Sequence, residues 1–173
     1  MALSLTHYGQ DILRKRIQRV ERYDESLEQL VQAMFETMYE ADGIGLAANQ
    51  VGIDKAVATI DISQVEEDVE PFVLMNPEIV EAEGRESLDE GCLSIPGVRE
   101  EVKRAERIVV KYLTTDNRVI EREATGLLAR VIQHETDHLN GKFFVDHISP
   151  VKRRFLQRKL NTIAREGFPA EEE

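Results

Sequence analysis

Residues 134–138, His-Glu-Thr-Asp-His, carry the clearest chemical signal in this sequence. Two histidines four positions apart lie one turn apart on the same face of a helix, so His134 and His138 can bind one metal ion. Glu135 is offset from that face by one residue, which favours proton transfer with water activated by the ion rather than direct ligation. The segment therefore predicts a metal-dependent hydrolase with Glu135 as general acid and base.

A catalytic metal site of this kind needs a third protein ligand and an open position for water. One protease pattern places a histidine shortly after the pair, but that position is Phe144, which cannot bind a metal. Another class takes a downstream glutamate, for which Glu166 is in range, although it follows a basic helix. Cys92 offers a soft thiolate ligand, although a lone cysteine is also typical of a protein core. Spacing alone leaves Cys92 and Glu166 both open.

Three helices are predicted from apolar residues that recur at helical spacing. The histidine pair lies on a helix over residues 125–140, with Thr125 as its candidate N-cap. An earlier helix is predicted over 26–41, where Ser26 could form a capping box with the glutamine three residues later. A serine followed by proline indicates the start of a last helix over about 150–165.

The segment between the helix predicted over 26–41 and the helix predicted over 125–140 is typical of short β-strands. The predicted strands cover 56–62, 72–75, 79–80, 108–113 and 119–124. The predicted breaks are Asn76-Pro77, Gly84, Pro96-Gly97 and a hairpin turn at Asp116-Asn117. Helix, strands, helix and helix in that order, without alternating strand–helix units, favour an α+β fold with a largely antiparallel sheet.

Length and composition indicate one globular domain over residues 1–173, with residues 166–173 expected to be flexible. The net charge of −11 argues against a nucleic-acid-binding surface over the whole protein, so we expect no DNA partner. No stretch approaches the roughly 20 apolar residues that cross a bilayer, and no secretory signal is visible. The single cysteine fits a reducing compartment. We therefore expect a cytoplasmic protein without a membrane partner.

Three separated segments resemble the peptide deformylase family and occur in the family's order. They are Gly43–Gln50 (GIGLAANQ), Glu90–Ser94 (EGCLS) and Gln133–His138 (QHETDH). The resemblance extends over nearly the whole chain and is to the bacterial type with a carboxy-terminal helix. It implies that Cys92, rather than Glu166, is the third metal ligand. It also implies one divalent ion, natively Fe²⁺, which Zn²⁺, Ni²⁺ or Co²⁺ can replace.

The resemblance further implies the fold, the reaction and the substrate. The expected fold has antiparallel β-sheets around a central metal-binding helix, with one N-terminal and one C-terminal helix. The expected reaction removes the formyl group from N-formyl-methionyl nascent polypeptides and releases formate. Glu135 would serve as general acid and base, while the Gln50 side chain and the Leu93 backbone N–H would donate to the oxyanion. The expected substrate-binding residues are Ile44, Gly45, Gly91, Leu127 and Val131.

One position departs from some relatives at the edge of the expected methionine pocket. Arg130 stands where some relatives carry an apolar residue, beside Val131. An arginine can cover apolar surface with its stem while its charged end stays in water. We therefore expect the Arg130 guanidinium to be exposed to solvent.

The segment from His147 to Arg165 contains six lysine or arginine residues and no acid, in a chain of charge −11. One interpretation is a solvated helix face. The functional hypothesis is that this helix docks on the ribosome near emerging chains.

Two rival functions remain at this point. A zinc endopeptidase would use His134, His138 and Glu166. A structural domain held by a metal is disfavoured, because closed structural sites normally have four good ligands and only three are apparent here.

Overall fold

The computed structural model describes residues 2–167, which fold into three α-helices and two antiparallel sheets. The helices are α1 (Glu25–Glu40), α2 (Gly126–Leu139) and α3 (Pro150–Glu166). The strands are β1 (Gly45–Ala47), β2 (Val57–Ile60), β3 (Phe72–Glu83), β4 (Glu86–Cys92), β5 (Ile95–Arg104), β6 (Arg107–Leu113) and β7 (Val119–Thr125). Short 3₁₀ turns cover Asp11–Arg14, Ala48–Val51 and Phe144–His147. The predicted α+β class, with an N-terminal and a C-terminal helix, is confirmed.

The larger sheet has five strands in the order β1-β2-β3-β6-β7, and β4 pairs with β5 in a separate two-stranded sheet. All neighbouring strands are antiparallel. α2 packs on the larger sheet because Leu128, Ala129 and Ile132 face strand residues such as Ile60 and Val110 in one buried cluster. The helix that carries His134 and His138 therefore lies at the centre of the fold.

The predicted helix positions are close to those observed, but the predicted cap of the first helix is wrong. α1 begins after Asp24, whose carboxylate accepts a hydrogen bond from the Leu27 N–H at 3.0 Å, so Ser26 is not the cap. Thr125 precedes α2 as expected, yet its side chain makes no capping hydrogen bond. The Ser149 side chain caps α3, followed by proline at the first helical position, as predicted.

Two predicted strand breaks are in fact irregularities within strands. β3 continues through Asn76, where φ is +49° and the pairing with β6 shifts register. β5 continues through Gly97, where φ is +75°. A local irregularity such as a bulge accommodates a residue that cannot pair regularly, and the strand continues beyond it. Glycine and proline therefore indicated strand ends here that do not occur. The hairpin turn predicted at Asp116-Asn117 is confirmed, with the Thr114 N–H donating to the Arg118 carbonyl at 2.8 Å.

The β4–β5 hairpin, residues 86–104, was not among the predicted strands. Its sequence is rich in charge, and much of β4 is exposed, so the alternation of apolar and polar residues is weak. Its inner side nevertheless packs into a buried cluster through Ile95 and Val98, against Phe143 and Phe144 and the α3 residue Leu160. This packing fixes the position of the hairpin beside α2.

The described chain ends just after α3. Glu166 is the last residue of α3, and Gly167, with φ of +82°, caps it. The rest of the tail expected to be flexible, residues 168–173, lies outside the described residues. Within residues 2–167, no helix combines the length and apolar character needed to span a bilayer.

Asp146 joins three parts of the chain through one carboxylate. It accepts hydrogen bonds from Arg14 at 2.6 Å, from the Phe143 N–H at 2.9 Å and from Arg153 on α3 at 2.6 Å. Burial raises the pKa of Asp146, but the hydrogen bonds, first that from Arg14, outweigh it and lower the pKa from 3.8 to about 2. The ionised form is therefore the one that stabilises the fold.

Replacing this carboxylate tests its contribution. Asp146→Asn should lower the free energy of unfolding at pH 7 by about 1–3 kcal/mol, since charge-assisted hydrogen bonds are lost. Because the folded pKa is depressed, the difference from the wild type should be present above about pH 4 and shrink as the pH falls towards 2. Urea unfolding at pH 7 and pH 3 measures both. Asp68→Asn, at an exposed carboxylate, is the control, and an equal effect there would contradict a specific role for Asp146.

Candidate metal centre and substrate cleft

Three potential metal ligands meet at the C-terminal part of α2. The Cys92 Sγ lies 3.2 Å from the His138 Nε2, which lies 3.1 Å from the His134 Nε2. All three donor atoms are within 4.8 Å of one another. Ligand atoms on one tetrahedral zinc lie roughly 3.3–3.6 Å apart, from the usual bond lengths. The residues present therefore fit a single divalent ion.

The secondary structure explains this convergence. His134 and His138 are one turn apart on α2. Cys92 is the last residue of β4 and pairs with Ile95 across a turn of two residues, so its side chain is held by the hairpin rather than by a loose loop. The site thus forms where the β4–β5 hairpin packs against α2.

A buried carboxylate orients the first of the two imidazoles. Glu90 Oε1 lies 2.8 Å from the His134 Nδ1, and Glu90 also accepts hydrogen bonds from Arg104 and Arg130. Burial raises the pKa of Glu90, but His134 and Arg104 outweigh it and lower the pKa to about 2. An anionic partner at Nδ1 leaves the His134 Nε2 free to face the Cys92 sulfur and a metal.

The donor cluster favours positive charge at its centre. Burial lowers the pKa of His134, yet the contacts with Cys92 and Glu90 outweigh it and raise the pKa to about 10. Burial, together with the neighbouring His134 charge, lowers the pKa of His138 well below its usual value. A proton on His134 therefore disfavours a proton on His138, so the two imidazoles are not protonated together.

Glu135 is a second buried carboxylate, but one of its oxygens lacks a hydrogen-bond partner among the described residues. This oxygen is Oε2, which is itself buried. Burial raises the pKa of Glu135 to about 7. Its Oε1 packs so close to Gly45 that an added Cβ there would lie only 2.7 Å away, so any larger residue at this position would push the carboxylate aside. A carboxyl group with a pKa near neutrality and a free oxygen is suited to proton transfer.

The side-chain amide of Gln50 is fixed with its N–H donors towards the metal centre. Gln50 Oε1 accepts a hydrogen bond from the Ala47 N–H at 2.9 Å, which sets the orientation of the amide. The Nε2 then donates to Ser94 Oγ at 3.1 Å and lies 3.5 Å from Cys92 Sγ. A pre-oriented donor beside the metal ligands is the arrangement needed to stabilise an oxyanion.

A cleft of about 670 Å³ opens onto this site between β1, the β4–β5 hairpin and α2. β1 is an edge strand of the larger sheet, paired on one side with β2. The lining includes all five residues expected to bind substrate, namely Ile44, Gly45, Gly91, Leu127 and Val131. Gln50, Cys92, Leu93, His134 and Glu135 line the same cleft. The cleft therefore brings the expected substrate-binding residues and the metal centre together.

Comparison with known proteins identifies the family to which this arrangement corresponds. The model of the polypeptide deformylase family matches residues 2–154. The chain belongs to this family. A peptide deformylase of Thermodesulfovibrio yellowstonii is 45% identical over 160 residues, which cover 92% of this chain and 97% of the relative. That of Chromobacterium violaceum is 48% identical over 158 residues, covering 91% and 93%.

Solved peptide deformylases share the fold. The crystal structure of the enzyme from Legionella pneumophila is 43% identical, with a TM-score of 0.86 and full coverage of both chains. The enzyme from Synechococcus elongatus, solved in complex with actinonin, is 44% identical, with a TM-score of 0.83 and coverage of 98% of this chain and 90% of that one. The chain is accordingly a hydrolase of the deformylase class. The metal dependence of this family agrees with the Cys92, His134 and His138 cluster.

The alternatives considered for the third ligand lie elsewhere in the deformylase fold. Glu166 is exposed at the end of α3 and is not part of the donor cluster formed by the described residues. Phe144 is buried, and its ring stacks beside His134 with 6.3 Å between ring centroids. Phe144 thus shields the imidazole from one side instead of binding the metal.

The expectation that Arg130 keeps its charged end in solvent is wrong. Arg130 is only 6% exposed, and its guanidinium donates to Glu90 and to the Glu86 and Val102 carbonyls. A sequence pattern cannot reveal that a buried carboxylate and two strand carbonyls lie within reach of α2. The arginine side chain lines the cleft, but its charge is neutralised beneath it.

Sequence reasoning also missed several supporting residues. Glu90 lies within one deformylase motif but was given no role, although a carboxylate two residues before a candidate ligand is a reasonable outer partner for a metal-binding histidine. Arg104 and Asp137, which pair at 2.8 Å, gave no signal. Asn49 Nδ2 donates to the His138 carbonyl at 2.6 Å and so ties the 3₁₀ turn that contains Gln50 to α2.

Proposed function

We propose that this chain removes the formyl group from N-formyl-methionyl nascent polypeptides and releases formate. Family membership supports deformylase activity in general. The observation that carries the proposal is the donor cluster of Cys92, His134 and His138, which opens onto the cleft. Beside it lies the Glu135 carboxylate, whose Oε2 has no hydrogen-bond partner among the described residues. We also propose that the reaction takes place in the cytoplasm and that residues 1–173 form one catalytic domain.

The proposed cofactor is one divalent metal ion held by Cys92, His134 and His138. When bound, such an ion supplies Lewis acidity and lowers the pKa of water, so that a nucleophile is available near neutral pH. A thiolate with two imidazoles suits Fe²⁺, Zn²⁺, Ni²⁺ or Co²⁺. We propose Fe²⁺ as the native ion, with the other three able to replace it.

Glu135 moves the proton in the proposed reaction. It takes a proton from the attacking water and delivers it to the nitrogen of the departing amine, while the formyl carbon leaves as formate. Burial, which raises the pKa of Glu135 to about 7, makes both protonation states accessible near neutrality. Charge that develops on the formyl oxygen would be met by the Gln50 Nε2 and the Leu93 N–H. The fixed Gln50 amide supports this assignment.

We propose that the substrate binds as an extended strand along the free edge of β1. The glycines at Gly45 and Gly91 permit close approach of a second backbone. Ile44, Leu127 and Val131 would form the apolar pocket for the methionine side chain. Backbone pairing specifies little beyond the first residue, which fits an enzyme that acts on many different new chains.

The outer face of α3 is proposed to dock on the ribosome. Arg154, Arg158 and Lys159 are exposed and form no ion pair with other described residues, and Phe155 beside them is 82% exposed. Cations that lack protein partners are available to RNA phosphates. The inner face of α3 is buried in the core through residues such as Leu160, so only its outer face is free.

The proton-transfer role is tested by an isosteric change. Glu135→Gln should retain one metal per chain but lower formate release from a formyl-methionyl peptide by about 100- to 10,000-fold, because the general acid and base is lost. Glu40→Gln, an exposed acid on α1, is the control. Near-normal turnover in a metal-replete Glu135→Gln enzyme, or cleavage of unblocked peptides by the wild type, would contradict the proposal.

If Fe²⁺ is the native ion, the enzyme should be sensitive to oxygen. Protein loaded with Fe²⁺ without oxygen should lose activity in air, since both ferrous iron and the thiolate are open to oxidation. The Ni²⁺ form should remain active under the same exposure. Activity is followed over time beside metal analysis of each sample. Equal stability of the two forms in air would count against Fe²⁺ as the working ion.

Ribosome docking is tested by surface substitutions, because truncation of α3 would also remove part of the core. Changing Arg154, Arg158 and Lys159 to serine should weaken cosedimentation with ribosomes, most clearly at low salt, and leave turnover of a short formyl peptide unchanged. The exposed arginines 16, 19 and 22, changed to serine together, are the matched control. Binding that is insensitive both to salt and to the α3 substitutions would refute the docking proposal.

A further inference from the structure

We propose that Arg130 is a positioning residue for the metal centre, because its buried guanidinium locks Glu90 and both strands of the β4–β5 hairpin onto α2. This inference rests on the proposed metal site at Cys92, His134 and His138. It assigns a role to the side chain that sequence reasoning had placed in solvent.

The Arg130 side chain links three elements of the site, namely α2, β4 and β5. Arg130 lies one helical turn before His134 on α2. Its Nη1 donates to Glu90 Oε2 at 2.6 Å and to the Val102 carbonyl of β5 at 2.9 Å. Its Nη2 donates to the Glu86 carbonyl of β4 at 2.7 Å. The helix that carries two metal ligands is thereby joined to both strands of the hairpin that carries the third.

Arg130 also completes the hydrogen bonding of Glu90. Glu90 Oε1 contacts the His134 Nδ1 at 2.8 Å and the Arg104 Nη2 at 3.0 Å. Glu90 Oε2 accepts from the Arg104 Nε at 2.7 Å and from Arg130. Four contacts on two oxygens leave the carboxylate little freedom to rotate. The orientation of the His134 ring is therefore held by an anchor that is itself held by two arginines.

Charge balance gives Arg130 a role that Arg104 cannot fill alone. Arg104 pairs with Glu90 and also with Asp137, at 2.8 Å. Asp137 is half-buried and also contacts His147 at 2.7 Å, whereas the buried Glu90 has Arg104 and Arg130 as its guanidinium partners. If Arg130 were removed, the only guanidinium left to Glu90 would be that of Arg104, which it shares with Asp137, and an incompletely paired buried charge is costly. The Glu90 carboxylate would then be free to shift with respect to His134.

A structural role and a positioning role of Arg130 differ in their expected effects on stability, KM and metal affinity. If Arg130 only holds the hairpin in place, its loss lowers the stability of the fold but leaves the affinity of the folded protein for metal unchanged. If Arg130 only shapes the cleft that it lines with Leu127 and Val131, its loss changes the KM for the peptide. A positioning role acts on metal affinity and on kcat, and it acts through Glu90.

The experiment uses Co²⁺ as the probe and competition with a chelator as the readout, on the full chain. Arg130→Met should weaken Co²⁺ binding about tenfold, at the lower end of the effect of outer-shell partners. It should lower kcat for a formyl-methionyl peptide and leave KM little changed. Glu90→Gln should weaken Co²⁺ binding at least as much. In the double variant, Arg130→Met should add no more than about twofold, because both changes disrupt one interaction.

Two control variants separate the effect of the Arg130 charge from that of removing any arginine. Arg130→Lys retains a charge near Glu90 and should bind Co²⁺ within about threefold of the wild type, although it lacks the guanidinium fork. If Arg130→Met does not fold, Arg130→Gln, which also removes the charge, replaces it with the same expected loss of Co²⁺ affinity. Arg107→Met, which removes an arginine paired with the exposed Glu81 and Glu123, should not change Co²⁺ affinity.

Three outcomes would overturn the inference. They are wild-type Co²⁺ affinity in Arg130→Met despite a lower urea midpoint, multiplicative losses in the double variant, and a loss in Arg130→Lys as large as in Arg130→Met. The proposed metal site is judged separately, by whether the wild type binds one Co²⁺ per chain. A wild type that binds none refutes the metal site and the inference together, whereas normal binding with an unaffected Arg130→Met refutes the inference alone.

Discussion

The buried Glu90 carboxylate is the interaction on which the rest of the site depends. Burying an ionised carboxylate costs several kcal/mol unless opposite charges and hydrogen bonds compensate. Here Arg104, Arg130 and His134 all contact it, and its pKa falls to about 2. These partners come from β5 and α2, so the charge is stable only when the hairpin and the helix are packed together. Cys92, two residues further along β4, then reaches the imidazoles.

The proposed catalytic groups come from three elements that are distant in sequence, and each is fixed by a different core. The 3₁₀ turn that carries Gln50 follows β1, the edge strand of the larger sheet, and shares a buried cluster with α1. The hairpin is anchored by the cluster that includes α3. α2 lies between them against the sheet. Hydrogen bonds such as Asn49 to the His138 carbonyl connect these cores at the site itself. The three elements therefore meet at the candidate metal ligands.

Sequence reasoning succeeded where the information is local. The spacing of His134 and His138 defines one helix face, and the bounds of α2 follow from periodicity and from the glycine after its end. It failed for the β4–β5 hairpin, whose charged residues hide the strand pattern, and for Arg130, whose exposure depends on partners about 30 to 40 residues away in sequence. The choice of Cys92 over Glu166 came from family resemblance, because no local rule brings residue 92 to residue 138.

Glu90 and Glu135 show how environment assigns different roles to the same side chain. Glu90 is surrounded by donors, so its proton is lost well below neutral pH and the group remains an anion in the folded protein. Glu135 is equally buried but has one oxygen without a partner, and burial raises its pKa to about 7. A carboxylate that must orient a histidine needs a permanent charge, whereas one that carries a proton needs two accessible states. Exchanging the two environments would leave a proton carrier that cannot accept a proton and an anchor that loses its charge.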